Sequence, residues 1–272
     1  MPEHRIDAFV VTGMVPVQYL GEMKMNVQKS GREYIVFPLD FSSMAEAKSH
    51  IRMLGDRVGM FKIGLELFIH QGPAVIRMVR DMSPAGIFLD LKLHDICATV
   101  FRAMGRVADL GVDLATVHCS SSLEMLKSAV QGGGEKVGVL GVTLLTDNDG
   151  KTLSMGGFQD QFAAEPEKLV MHRAKMARDA GCRGVVCSGR EAAAVKAKFG
   201  RDFLAVTPGI RPAWSLTPGD DQKRITTPAQ AIAQGSDLLV IGRPVRDAKD
   251  PADAARKVAD EIETALENRV PV

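Results

Sequence analysis

The chain has 272 residues, 46% of them hydrophobic and 25% charged, and a formal net charge of +1. That balance fits an ordinary globular enzyme of one or two domains. Near-neutral charge, one Trp, two Tyr and the lack of a basic cluster leave little to hold nucleic acid or an anionic membrane surface.

No run of about 18 apolar residues marks a transmembrane helix. The four cysteines, Cys97, Cys119, Cys182 and Cys187, form no C-x-x-C pair and sit mostly in apolar segments. They read as reduced core thiols of a cytoplasmic protein. Residues 1–31 show no regular period. The mildly apolar stretch Ala8–Val17 is broken by Gly13 and Pro16 and lacks a small-x-small cleavage site, so it does not read as a secretory signal. Residues 1–31 are taken as an N-terminal extension and residues 32–272 as one catalytic domain.

From Glu33 onward, short apolar β-branched runs alternate with amphipathic helical runs. The strand-like runs are Tyr34–Asp40, Gly59–Leu65, Ile87–Leu93, Leu114–His118, Val137–Leu145, Gly184–Cys187, Phe203–Thr207 and Leu238–Ile241. Ser43 with Glu46, and Ser121 with Glu124, have the spacing of capping boxes. Pro166, Pro228 and Pro251 suit first helical turns, and Gly55, Gly111, Gly181, Gly200 and Gly235 suit helix ends. Gly132-Gly133-Gly134 follows a helix and precedes a strand, so it reads as a helix stop. The last helix, from about Ala252 to Glu267, carries the stripe Ala255, Val258, Ile262 and Ala265. Eight strand–helix units without a composition break predict an α/β fold, a single (β/α)8 TIM barrel with its active site at the C-terminal ends of the strands. An open doubly wound sheet would carry a glycine fingerprint in its first turn, where this chain has Asp40-Phe41-Ser42-Ser43.

On that fold every strand delivers a polar group to one rim: Asp40, Lys62, the Asp90/Lys92/Asp95 group, His118, Thr146, Ser188, the Thr207–Arg211 run, and Gly242-Arg243. The third strand is the most unusual. Asp90 and Lys92 are two apart, so they project to the same side of an otherwise apolar strand. Buried charges of this kind are either paired or used. At the last two units Gly242 offers an open backbone N–H and Arg243 a planar fork, which suits a phosphate group. The loop Arg211–Arg224 is long for a strand–helix connection and has the length of a lid. Asp90, Asp95 and Glu66 are candidate ligands for a divalent cation. Lys62 and Lys92 beside them disfavour it.

The run Asp90-Leu91-Lys92-Leu93-His94-Asp95 resembles the D-x-K-x-x-D signature of the orotidine 5'-phosphate decarboxylases, and the likeness extends over about residues 34–245. Leu39-Asp40 resembles the family's ribose contact. Phe61-Lys62-Ile63-Gly64 resembles its strand-two lysine, and Leu145-Thr146 its pyrimidine contact. Thr207–Arg211, Asp221-Gln222 and Gly242-Arg243 resemble its phosphate-end segments. Metal-dependent sugar-phosphate decarboxylases of the same superfamily place Glu where this chain has Lys62. Two departures stand out: Ile96-Cys97-Ala98-Thr99 where the family commonly has Ile-Pro-Asn-Thr, and Pro38 before Leu39. Thr99 is kept.

The resemblance implies decarboxylation of orotidine 5'-monophosphate to uridine 5'-monophosphate, with neither cofactor nor metal. Lys92, Asp90, Lys62 and Asp95 are then the catalytic residues. Asp40, Lys62, Asp90, Thr99, Thr146, Arg211, Gln222, Gly242 and Arg243 bind substrate. It also implies a homodimer in which Asp95 reaches the neighbouring site. The other readings are a metal-dependent sugar-phosphate decarboxylase or epimerase, and a pyrimidine-nucleotide binding protein without turnover.

Overall fold

The computed structural model describes residues 29–215 and 226–268. Residues 1–28 of the N-terminal extension, and Gln222 with most of the 211–224 loop, lie outside the described residues. The strands are β1 (Ile35–Pro38), β2 (Met60–Gly64), β3 (Gly86–Leu93), β4 (Leu114–His118), β5 (Gly138–Val142), β6 (Gly184–Val186), β7 (Leu204–Thr207) and β8 (Leu238–Val240). They pair in parallel and in sequence order, and β8 returns to β1 through Ile35↔Leu239 and Val36↔Val240. The predicted (β/α)8 barrel is therefore present. The largest error in extent is at β5, which stops at Val142 rather than Leu145. Its partner β6 is only three residues long and ends at Val186, so the ladder has nothing further to pair with.

Alternation along the strands sorts the residues. Val36, Phe88, Leu114, Leu140, Val206 and Leu238 form an apolar plug, with Met60 packed against it. Their chain neighbours Ile35, Phe37, Phe61, Ile87, Leu89, Ala115 and Val139 belong to the larger cluster packed under the helices. Two residues further along the plug's rows lie Pro38, Lys62, Asp90, Thr116, Val142, Pro208 and Val240. All of these except Thr116 line a cavity above the plug. The burial that fixes strand register thus also fixes which side chains meet there.

Local signals account for most helix starts. The Ser43 hydroxyl accepts the Glu46 N–H, and Pro166, Pro228 and Pro251 open the helices Pro166–Asp179, Pro228–Ala233 and Pro251–Glu267. The expected Ser121–Glu124 box is corrected: Ser122 caps the helix Leu123–Gly133 by accepting the Met125 N–H at 3.1 Å. Glu124 then falls in the first turn, where its charge still suits the helix dipole. Gly134 ends that helix, its N–H bonded to Val130 O. Two helices, Leu65–Gln71 and Ala74–Met82, join β2 to β3, and Glu66 is exposed on the first of them. Gly31 packs on the last helix, its N–H donating to Glu263 Oε1 at 2.9 Å. All four cysteines are free. Cys119, Cys182 and Cys187 are buried, and burial pushes their thiols up. No helix among the described residues is long and apolar enough to cross a membrane.

Pro38 is compatible with the barrel for two reasons. Leu39 N–H reaches Lys62 O on β2, so the N–H that Pro38 lacks would face β8. On that side the β1 ladder ends at Val36, whose carbonyl meets Ile241 N–H. The ring is also accommodated by a glycine: a Cβ on Gly242 would sit 2.9 Å from Pro38 Cγ. Gly242→Ala is therefore expected to lower unfolding free energy by about 1–3 kcal/mol in urea titrations, and Pro38→Ala in the same chain to restore most of it. A Gly242→Ala protein as stable as the parent would contradict the contact.

Candidate active site

The cavity above the plug measures about 520 Å³, within the usual range for small-molecule sites. Its floor carries alternating charges from three adjacent strands. Lys62 Nζ on β2 lies 3.1 Å from Asp40 Oδ1, beyond β1, and 3.5 Å from Asp90 Oδ2 on β3. Lys92 Nζ lies 2.9 Å from the same Asp90 oxygen. Gly64 makes room for this array, since a Cβ there would lie 3.0 Å from Asp40 Oδ1 and 3.1 Å from Lys62 Nζ.

Asp90 is buried. Burial by itself would raise its carboxyl pKa, but Lys62, Lys92 and the hydrogen bonds from Lys92 and Thr116 together hold it below the ordinary value. Thr116 Oγ1 donates to Asp90 Oδ1 at 2.9 Å and accepts the Lys92 backbone N–H at 2.9 Å. The β3–β4 register slips here: Leu89 pairs with Ala115 but Leu93 with Val117. Four residue steps on β3 therefore run against two on β4. Lys92 has φ 51°, the only positive φ at a non-glycine among the described residues.

The wall and mouth of the cavity are built from loops at the C-terminal strand ends. Thr146, with Leu144 and Leu145, lines one side. Arg211, Gly242, Arg243 and Arg246 line another, beside Pro208 and Gly209. Arg211 is buried, its Nη1 donating to Ile210 O, and its backbone N–H bonds Thr226 O, so the two ends of the 212–225 loop meet there. Trp214, in the turn Ala213–Ser215, is 49% exposed. Arg246 forms a two-armed pair with Asp247, at 2.6 and 3.0 Å.

Several residues expected at the rim are elsewhere. Asp95 is exposed, accepts the Ile96 N–H at 2.6 Å, and lines a shallow groove with His94, Cys97, Ser122 and Met125 rather than the cavity. Thr99 lies in the first turn of the helix Cys97–Asp109, also away from the cavity lining. The expectation that every strand contributes a polar group is corrected at the fourth and sixth strands, and at the seventh it is Arg211 and not Thr207 that lines the cavity. His118 stacks on His94 at 5.7 Å and bonds Ser120 through Nδ1. Ser188 starts the helix Gly189–Phe199, its N–H donating to Glu191. The Thr207 hydroxyl pairs with that of Ser236. Strand ends differ in where they stop, so sequence position relative to an apolar run does not fix which side chains face inward. Of the three carboxylates considered for a metal, the cavity lining holds Asp90 but neither Asp95 nor Glu66.

Three contributors escaped the sequence reading. Thr116 shares the inward parity of Leu114, which was the signal available for it. Arg246 follows Arg243 by three residues, close to one helical turn. Arg173 interrupts the apolar stripe Leu169, Val170, Ala174, Ala177 of its helix. It is buried and donates to Thr143 O at 2.5 Å, fixing the point from which the Leu144–Thr146 wall departs.

Burial, reinforced by the nearby positive charges of Arg173, His94 and Lys92, pushes the His118 imidazole down from 6.5 to about 4. The unfolded chain therefore takes up a proton that the folded chain refuses as pH falls from 6.5 toward 4. This part of the stability is present above pH 6.5 and declines across that window. An NMR titration should place the His118 midpoint near 4. A midpoint near the ordinary value would contradict the half-buried neutral imidazole.

Residues 33–258 match the family described as Orotidine 5'-phosphate decarboxylase / HUMPS. An orotidine 5'-phosphate decarboxylase of Desulfosudis oleivorans is 47% identical over 239 residues, covering 88% of this chain and 96% of that one. One of Geobacter sulfurreducens is 44% identical over 237 residues, covering 85% and 96%. The crystal structure of orotidine 5'-phosphate decarboxylase from Lactobacillus acidophilus superposes with a TM-score of 0.72 at 33% identity, covering 84% of this chain and 98% of that one.

Proposed function

The chain belongs to the orotidine 5'-phosphate decarboxylase / HUMPS family, and we infer from this that its cavity removes carbon dioxide from orotidine 5'-monophosphate to give uridine 5'-monophosphate, a step of pyrimidine synthesis. The observation that carries the reading is the unbroken Asp40–Lys62–Asp90–Lys92 charge sequence on the cavity floor. Lysine at position 62 favours it over the sugar-phosphate branch of the superfamily, where glutamate is found.

In this reading the C6–carboxylate bond breaks heterolytically. Carbon dioxide leaves, and the electron pair stays on C6. No neighbouring carbonyl is placed to delocalise that pair, so fixed charges must lower the barrier. Asp90 sits beside the substrate carboxylate and disfavours it, while Lys92 favours the charge growing at C6. Lys92 then transfers its Nζ proton to C6, becomes a neutral amine and is reprotonated from solvent. The step needs no cofactor or metal. Lys62 bridges Asp90 and Asp40 and offsets the repulsion between the two carboxylates, and Asp40 meets the ribose. Thr146 meets the pyrimidine. Arg211, Gly242 and Arg243, with Gln222, take the phosphate, whose binding energy serves the reacting end of the molecule. Residues 32–272 act as one catalytic barrel, with 1–31 as an extension. The four free cysteines suit a cytoplasmic setting.

The test is the ultraviolet absorbance of orotidine 5'-monophosphate with purified protein and EDTA present throughout. Loss of the orotate chromophore is expected, and Lys92→Ala should abolish it. Activity that disappears with the chelator would favour the metal-dependent alternative. Tight uridine 5'-monophosphate binding without turnover would favour the non-catalytic one.

We also propose a homodimer in which Asp95 and Thr99 serve the neighbouring site. Asp95 lies outside its own chain's cavity, and Ile96 beside it is 70% exposed, as is much of Phe101 on the same helix. Mixing Lys92→Ala with Asp95→Ala chains under subunit exchange should restore activity, since one of the two shared sites is then intact. No gain over the separate variants would rule out sharing.

A further inference from the structure

We propose that Thr116 is a positioning residue for this reaction, its single hydroxyl holding both the backbone of Lys92 and the rotation of the Asp90 carboxylate. The inference rests on the reading of Lys92 as proton donor and goes beyond it.

The argument starts from the irregular ladder. Between Leu89 and Leu93, β3 has more residues than β4 has to pair with them. The surplus falls on Asp90, Leu91 and Lys92. A left-handed backbone conformation at a lysine is costly and persists only where its surroundings hold it. The register slip also takes the Lys92 N–H out of the regular ladder, and a partly buried amide needs another acceptor. Thr116 Oγ1 supplies one, at 2.9 Å.

The direction of the remaining bond then follows from chemistry. An amide N–H can only donate, and an ionised carboxylate can only accept. The hydroxyl therefore accepts from Lys92 and gives its one hydrogen to Asp90 Oδ1. With Oδ1 engaged, Asp90 Oδ2 is the oxygen presented to Lys92 Nζ at 2.9 Å and Lys62 Nζ at 3.5 Å. Thr116 is 1% exposed and absent from the cavity lining, so it acts through these two residues and not on substrate. Valine has the same shape and neither capacity. Serine keeps both.

Thr116→Val, Thr116→Ser and Lys92→Ala are compared by kcat, KM and the affinity for uridine 5'-monophosphate, a product that never loses a carboxylate. The valine variant is expected to lose about ten- to a hundredfold in kcat, the range of one hydrogen bond to a charged group. Its nucleotide affinity should stay within about threefold, because Thr116 does not line the cavity and so touches neither phosphate nor ribose. The serine variant should recover to within about threefold of the parent in kcat. A valine variant with parental kcat, or a serine variant as slow as valine, would overturn the proposal. Should the valine variant fail to bind nucleotide, Thr116→Ala replaces it under the same criteria. Substantial activity in Lys92→Ala would instead refute the proton-donor reading, whatever Thr116 does.

Discussion

Four charged side chains lie in a row above an apolar plug, and the two buried members, Lys62 and Asp90, are tolerable there because their neighbours have the opposite sign. Isolated ions in such a place would cost several kcal/mol each. In the order Asp40, Lys62, Asp90, Lys92, every inner member touches two opposite charges. The array depends on β1, β2 and β3 lying side by side in one register, since it is built from residues two steps above Val36, Met60 and Phe88, or further along those rows. The plug is thus more than a source of stability. It sets the height at which the charges meet.

The same strand that supplies half the array departs from ideal geometry. A regular β3 would run Asp90 and Lys92 straight along the ladder with β4. The observed slip places Lys92 in a left-handed turn, with its ammonium folded back onto Asp90. Strain of this sort is affordable in a barrel whose other strands are regular. It concentrates irregularity at the position where a group must be presented rather than merely buried. Arg211, Arg243 and Arg246 line the same cavity, so it combines an alternating charge array from the first three strands with cations from the last two.

Much of this was legible in the amino-acid sequence because it rests on periodicity. The eight strands, their order and the shared side of Asp90 and Lys92 all follow from alternation, and Lys62 and Asp40 follow from the same rule. What was not legible depends on where a strand stops or on one atom of a small side chain. His118 and Ser188 end strands just as Asp40 does, yet one stacks on a histidine and the other starts a helix. Asp95 is only three residues from Lys92, but the chain has left the barrel wall by then. Thr116 looks like an ordinary β-branched strand residue, and only coordinates reveal what its hydroxyl touches. Arg173 lies within the apolar stripe of its helix, where the sequence pattern gives no sign that its guanidinium turns inward to Thr143 O. Pro38 is awkward in a fully paired strand, and only the structure shows that the ladder to β8 ends two residues earlier and that Gly242 leaves room for the ring.

Trp214 is the only tryptophan of the chain, and it stands half-exposed at the neck where Arg211 meets Thr226. Its indole emission is therefore a single-site optical signal from the base of the 212–225 loop. Nothing elsewhere in the barrel adds to it, and the two tyrosines are too few to obscure it. The molecule thus carries its own fluorophore three residues beyond Arg211, a residue that lines the cavity, so the surroundings of that segment can be followed by light without any label being attached.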